Sequence, residues 1–144
     1  LQTHFELQLF NTFRSYIDLN KTYPIALNKQ TDERGFFSEI IKTDSGGQFS
    51  YSKTLSNITR GNHFHTRKIE RFIVIQGKAK ISLRKIGSKK VYDFLLDGDK
   101  PSYIDIPIWF THNITNIGDD PLITSFWVNE PYNARDTDTF FENV

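Results

Sequence analysis

The 144-residue chain has no cysteine, no methionine, almost no net charge and no long apolar run. Without cysteine there is no disulfide, no thiolate metal ligand and no cysteine nucleophile, so any bound metal must rely on histidine and carboxylate. The 18 basic and 17 acidic side chains leave a formal charge of +1. That gives no long-range field for nucleic acid or an anionic membrane, and an anionic ligand would need a few local basic residues. No apolar stretch approaches the roughly 20 residues that span a bilayer. No signal peptide is visible, so the expected location is cytoplasmic. The missing methionine makes Leu1 an unnatural start, and the chain is expected to be a domain of something longer. The length suits one domain with a real core.

The residues that are present divide into a short helical part and a long β part. Over residues 3–17, Phe5, Leu9, Phe13 and Tyr16 or Ile17 recur at helical spacing. Thr3 and Glu6 have the form of a capping box. The apolar face of this helix needs a partner, either this domain, a second copy, or an absent upstream domain that the helix connects. From Gly35 onward, short runs rich in β-branched and aromatic residues alternate with glycine-bearing turns: GFFSEIIK, QFSYSK, ERFIVIQ, AKISLRKI, VYDFLL, SYIDI and LITSFWV. Such spacing predicts an all-β sandwich or barrel. Ala79, Ile81 and Leu83 alternate with Lys80, Ser82 and Arg84, which predicts a strand with one wet face. Phe72 to Ile75 is apolar throughout and predicts a strand covered on both sides. The polar tail from Asn129 to Val144 is expected to wrap the barrel.

Three of the four histidines lie in two short segments. His63 and His65 are two apart, so on a strand they point to one side. Glu70 follows after a short loop, close enough to add an oxygen. His112 lies beyond three further predicted strands and reaches the same point only if the sheet closes. Three imidazoles and a carboxylate suit Zn, Fe, Ni, Mn or Co, with room left for water or substrate. His4 is read as a solvated helix residue.

These residues resemble the two motifs of the cupin superfamily. Gly61, His63, His65, Glu70 and Gly77 match Gly-x-His-x-His-x4-Glu-x6-Gly with a closer leading glycine. Pro107, His112 and Asn116 match the second motif, with Trp109 in place of its glycine, a change expected to alter the turn before His112. The resemblance implies an all-β cupin (jelly-roll) barrel carrying an N-terminal helix. A narrower likeness joins Asp32–Glu39, Gln48–Ser52 and Thr59–His65 to the dTDP-4-dehydrorhamnose 3,5-epimerase branch, which needs no metal. This chain has His65 where that branch has glutamine, and adds Glu70 and His112.

Across its length the chain is similar to the C-terminal cupin domain of bifunctional capsule and O-antigen synthesis enzymes that form UDP-2-acetamido-2,6-dideoxy-L-talose. The residues that carry this likeness include Asp32-x-Arg34-Gly, Arg60-Gly-Asn-His63-x-His65, Lys68-x-Glu70-x-Phe72, Thr111-His112-Asn113, Trp127-Val-Asn-Glu130 and Asp138-Thr139. It implies residues 1–22 as a connecting helix and 23–144 as the barrel. It also implies epimerisation at C3 of a UDP-4-keto-6-deoxy-N-acetylhexosamine, with NADPH used only by an absent reductase domain. The implied site residues are a divalent metal, most simply Zn2+, on His63, His65, Glu70 and His112. Lys68, Tyr132 and His63 are candidates for proton transfer, with Lys68 expected at the mouth of the site. Arg34 and Arg60 are candidates for the pyrophosphate, and Gln48 and Ser50 for sugar or phosphate oxygens. A homodimer is expected, with an N-terminal strand such as Tyr23–Asn28 available for exchange. An Fe(II) oxygenase and a non-catalytic sugar-nucleotide sensor or assembly domain remain as alternatives.

Overall fold

A computed structural model of the chain describes residues 3–43 and 46–144. Helix α1 (His4–Ser15) and the single turn α2 (Leu19–Thr22) precede strands β1 (Gln30–Asp32), β2 (Gly35–Thr43), β3 (Gly47–Thr54) and β4 (Thr59–Phe64). Next come β5 (Glu70–Gln76), β6 (Lys78–Lys85), β7 (Val91–Asp97) and β8 (Tyr103–Ile106). Strands β9 (Phe110–Asn116), β10 (Leu122–Val128) and β11 (Phe140–Phe141) close the chain. Among the described residues the strands form two antiparallel sheets, ordered β1-β2-β3-β10-β5-β8 and β11-β4-β9-β6-β7. Every pairing that joins β4 to β9 or β10 to β5 crosses several intervening strands, as a jelly roll requires. The architecture agrees with the all-β barrel predicted from the strand pattern.

Between the sheets lies a core of Phe72 and Val74 from β5, Ala79, Ile81 and Leu83 from β6, and Leu96, Ile106, Ile114 and Leu122. Strand β3 reverses the usual alternation. Gln48, Ser50, Ser52 and Thr54 are buried, while Phe49 and Tyr51 lie on the other face. Tyr51 packs edge-on against Phe36, with ring centroids 5.3 Å apart. The register sets these polar residues in rows with inward residues of the neighbouring strands: Phe37–Ser52–Thr124–Val74, then Ser50–Phe126–Phe72. One wall of the barrel interior is therefore polar.

Several expectations need correction. Phe72 and Val74 are buried, but Ile75 is 55 % exposed, so β5 is covered on one face only. Among the described residues, none forms a second layer over the side of its sheet away from the core. Ser82, expected on the wet face of β6, is buried and donates to Asp93 Oδ1 at 2.5 Å, a bond across the β6–β7 pair. Tyr23–Asn28 forms no strand; the first strand starts at Gln30. Helix α1 forms as predicted, with Thr3 and Glu6 making both bonds of the capping box. None of its residues is buried, so its apolar face does not pack on this barrel. The tail wraps as expected: β11 pairs with β4, and Glu142 takes an ion pair from Arg84 at 2.8 Å.

Candidate metal centre

His63, His65, Glu70 and His112 bring one ligand atom each to within 4.8 Å of one another. Each arrives from a different local cause. His112 is on the central strand β9, fully buried, with its ring edge-on to Phe72 at 5.5 Å. Glu70 opens β5. His65 lies just past the end of β4, and His63 owes its orientation to a bulge. Arg60 is opposite Ile114 and His63 is opposite His112, so the register shifts between Gly61 and His63. His63 is three positions after Arg60, and on a regular strand they would face opposite ways. The extra residue turns both inward. The bulge needs glycine: Gly61 has φ +103°, and a Cβ there would meet His112 O at 2.7 Å. Asn62, at φ 61°, holds the bulge by accepting from Asn113 Nδ2 at 2.9 Å.

Glu70 Oε2 lies 3.0 Å from His112 Nε2 and 3.4 Å from His65 Nε2. None of these three buried atoms makes a well-aligned hydrogen bond. Burying a polar atom without a partner costs about 1–3 kcal/mol. Three such atoms converging on one point form a donor set that a divalent cation would satisfy. The outer nitrogens are already bound. His65 Nδ1 contacts Asp138 O, and His112 Nδ1 lies 3.3 Å from Phe110 O. Donating Nδ1–H to a carbonyl leaves the Nε2 lone pair facing inward. Burial, reinforced by His112, pushes His63 down to about 4, so its imidazole is neutral at pH 7. Burial also disfavours charged His65, but the Glu70 carboxylate outweighs it and the His65 pKa is raised. Burial likewise opposes ionised Glu70, yet the flanking His112 and His65 hold its pKa below the usual carboxylate range. The residues fit a divalent metal.

The tail completes this shell. The Asp138 carboxylate accepts from Thr66 N at 3.0 Å, Thr66 Oγ1 at 2.6 Å, Arg67 N at 3.1 Å and Lys68 N at 3.0 Å. Burial opposes its charge, but these donors win and keep its pKa below the ordinary carboxylate value. Asp138 thus clamps the loop between His65 and Glu70 while its own carbonyl orients His65.

A cavity of about 260 Å³ adjoins the centre, lined by Arg34, Phe37, Ser52, Arg60, Gly61, His63, Phe72, Ile114 and Phe126. Arg60 and His63 enter it together because of the bulge. Arg34 reaches its rim but is bound to Asp32 through Nε at 2.9 Å and through Nη2. Arg60 donates through Nε to Thr54 Oγ1 at 3.0 Å, and its Nη2 is 3.6 Å from Asp32 Oδ1. Asp32 therefore already offsets one of the two guanidinium charges proposed for a pyrophosphate.

Other predicted site residues lie elsewhere. Gln48 donates to Ser50 Oγ at 3.1 Å and accepts from Tyr132 N at 3.0 Å. Both are buried and partnered, and neither lines the cavity. Lys68 is not at a mouth: it is buried, donating from Nζ to Thr137 O at 2.6 Å, because the tail folds over its loop. Its Nζ lies 5.9 Å from the Tyr132 ring centre, and neither residue lines the cavity. Trp109 takes a left-handed backbone, with φ 64°, a conformation that glycine adopts without strain. Its N–H donates to His65 O at 2.8 Å and its ring stacks on Phe64 at 5.8 Å. These contacts offset a strain of about 1–2 kcal/mol. Sequence reasoning missed Ser52 and Asp138 as parts of the site. The inverted polar alternation of β3 was the available signal for Ser52.

Residues 30–140 match the polysaccharide biosynthesis C-terminal domain family. The chain belongs to that family. It is 34% identical over 134 residues to the UDP-2-acetamido-2,6-beta-L-arabino-hexul-4-ose reductase of Pseudomonas aeruginosa, covering 92% of this chain and 35% of the relative. It also resembles the capsular polysaccharide assembling protein CapF of Staphylococcus aureus, with 38% identity and a TM-score of 0.94 over 100% of this chain and 39% of that one. The chain thus spans little more than a third of either protein. The cupin domain of Drosophila melanogaster CENP-C, at 13% identity and a TM-score of 0.62 over 85% of this chain, shares the fold. The cupin fold follows from these likenesses.

Two outcomes test the centre. Glu70→Gln is expected to weaken binding of Zn2+ at least about 100-fold, beyond what loss of an outer-shell partner costs, read by competition with a chromophoric chelator. Asp138 has a depressed folded pKa, so its stabilisation is present above the unfolded value of about 3.9 and lost as pH falls through the folded one. Asp138→Asn should cost about 2 kcal/mol at pH 7 and flatten the acid limb of stability against pH, measured by urea unfolding from pH 7 to pH 2.

Proposed function

We propose that this domain epimerises C3 of a UDP-4-keto-6-deoxy-N-acetylhexosamine during synthesis of a capsular polysaccharide or O-antigen precursor. In this reading C4 reduction with NADPH belongs to an upstream domain. The observation that carries the reading is the cluster of His63, His65, Glu70 and His112 beside a cavity that His63 itself lines. The named relatives act in nucleotide-sugar and capsule chemistry, which supports the substrate class.

A hydrogen on the carbon beside a ketone is acidic because the resulting charge spreads onto the carbonyl oxygen. Epimerisation removes it and returns a proton to the other face. A divalent cation held by His63, His65, Glu70 and His112 would supply positive charge for that oxygen. The chain's own residues prepare the cavity. Phe37, Phe72, Phe126 and Ile114 line it with apolar surface. Arg60 adds a guanidinium to the same wall. Neutral His63 offers a lone pair, to a metal or to a proton. Roles for Lys68 and Tyr132 in proton transfer, and for Gln48 and Ser50 in substrate binding, rest on the family resemblance alone.

The test is deuterium incorporation at C3 of the 4-keto nucleotide sugar in D2O, followed by proton NMR. Exchange catalysed by the metal-loaded protein is expected; none from folded, metal-loaded protein would overturn the proposal. Metal removal should slow exchange by about 100-fold or more if the cation stabilises the oxyanion. Full exchange by folded apoprotein would leave the metal as a brace. Homodimerisation belongs to the same reading, since Phe5, Leu9 and Phe13 of α1 stand exposed. Sedimentation velocity should give a dimer, and a monomer at micromolar concentration would remove it.

A further inference from the structure

The two walls of the cavity beside the ligand cluster differ in kind. Arg60 and His63 line it from β4 of one sheet. Phe37, Phe126 and Phe72 line it from β2, β10 and β5 of the other. The second wall is a continuous run of rings. Phe72 meets Phe126 edge-on at 4.6 Å, and Phe126 lies tilted against Phe37 at 6.3 Å. The run begins at the ligands themselves, because Phe72 is also edge-on to His112 at 5.5 Å. Ser52 belongs to the same wall but offers the cavity no polar contact, since its hydroxyl oxygen is sealed. An imidazole and an arginine thus stand across the cavity from three phenyl rings. Neither metal binding nor proton transfer calls for such a wall.

We propose that Phe37, Phe72 and Phe126 form the subsite for the C6 methyl of the sugar, and so select a 6-deoxy sugar over its 6-hydroxy counterpart. The assignment rests on the nucleotide-sugar reading above. A 4-keto-6-deoxyhexose is lopsided in the same way as the cavity. On one side of the ketone, C5 carries the methyl; on the other, C3 carries a hydroxyl and C2 the acetamido group. With the ketone toward the ligand cluster, a substituent on a neighbouring carbon comes to Phe72, which packs on His112. A methyl suits that place, because burying it against rings is favourable and requires no hydrogen-bond partner. A hydroxymethyl would bury a hydroxyl where the rings offer it none. The acetamido methyl fits less well, since the attached amide N–H and C=O would also lie against the rings unpaired. Seating C5 on the aromatic wall leaves C3 turned toward the wall of His63 and Arg60. The rings therefore also determine which of the two acidic carbons beside the ketone faces the polar groups. The volume of about 260 Å³ suits one sugar ring, with the nucleotide outside on the Arg34 side.

The experiment compares UDP-N-acetylglucosamine with UDP-N-acetylquinovosamine, its 6-deoxy counterpart, by isothermal titration of Zn2+-loaded protein. The two compounds differ by one oxygen, at C6. The wild type is expected to prefer the 6-deoxy compound at least about tenfold, as an apolar pocket does against an added hydroxyl. Equal affinity for the two would overturn the methyl subsite while leaving the nucleotide-sugar reading intact. Binding of neither compound would overturn both. Phe37→Ala should cut the preference to about threefold or less, by weakening the 6-deoxy compound and letting water reach the 6-hydroxyl of the other. Phe126→Leu, which keeps that position apolar, gives the same comparison if Phe37→Ala does not fold, and should also reduce the preference. An undiminished preference in a folded variant, or equal weakening of both compounds, would overturn the assignment of the rings.

Discussion

Without the bulge at Gly61 and Asn62, Arg60 and His63 would point to opposite faces of β4. The barrel would then offer either an imidazole or a guanidinium on that strand, but not both. The extra residue is confined by the close approach of β9: His112 O and Asn113 Cα leave no room for a Cβ at Gly61. The same β9 segment supplies His112 itself. Ligand placement, cavity lining and strand pairing therefore share one local geometry.

Around that geometry the fold arranges two kinds of polar interior. At the ligand cluster, three unsatisfied atoms face each other, and their imidazoles are oriented by backbone carbonyls. Further along the barrel, the Ser52 and Thr124 hydroxyls of β3 and β10 are buried without hydrogen-bond partners. Both arrangements cost stability. The surrounding structure absorbs that cost through the core of β5, β6 and β9 and through the Asp138 clamp. Such locally unfavourable placement is typical of sites that bind something.

The tail has a larger part than its polar composition announces. Asp138 satisfies three successive backbone amides at 66–68, and Thr137 binds the Lys68 ammonium. The loop that separates two ligands is thus set by residues some seventy positions later. A lysine two residues before Glu70 reads as a natural acid or base from the sequence. Its real partner is the carbonyl that the folded tail brings to it.

By itself the sequence determined most of the strands, the capped helix and the cluster of three histidines and Glu70. Alternation, capping and His-x-His spacing are local patterns, and a closed barrel has few ways to bring His112 beside His63. It also marked Arg60 and Arg34 as the basic residues of the site. Only the tertiary structure decided which polar residues face the cavity. Gln48, Ser50 and Ser52 are equivalent along β3, yet the first two are bound to each other and to Tyr132 N, while the third is free. It also decided that Trp109 could take a left-handed backbone, since His65 O and the Phe64 ring that hold it come from another strand. The physical reason is the same in both cases. Side-chain direction follows from the local period, but partnership depends on what the other sheet and the tail bring into reach.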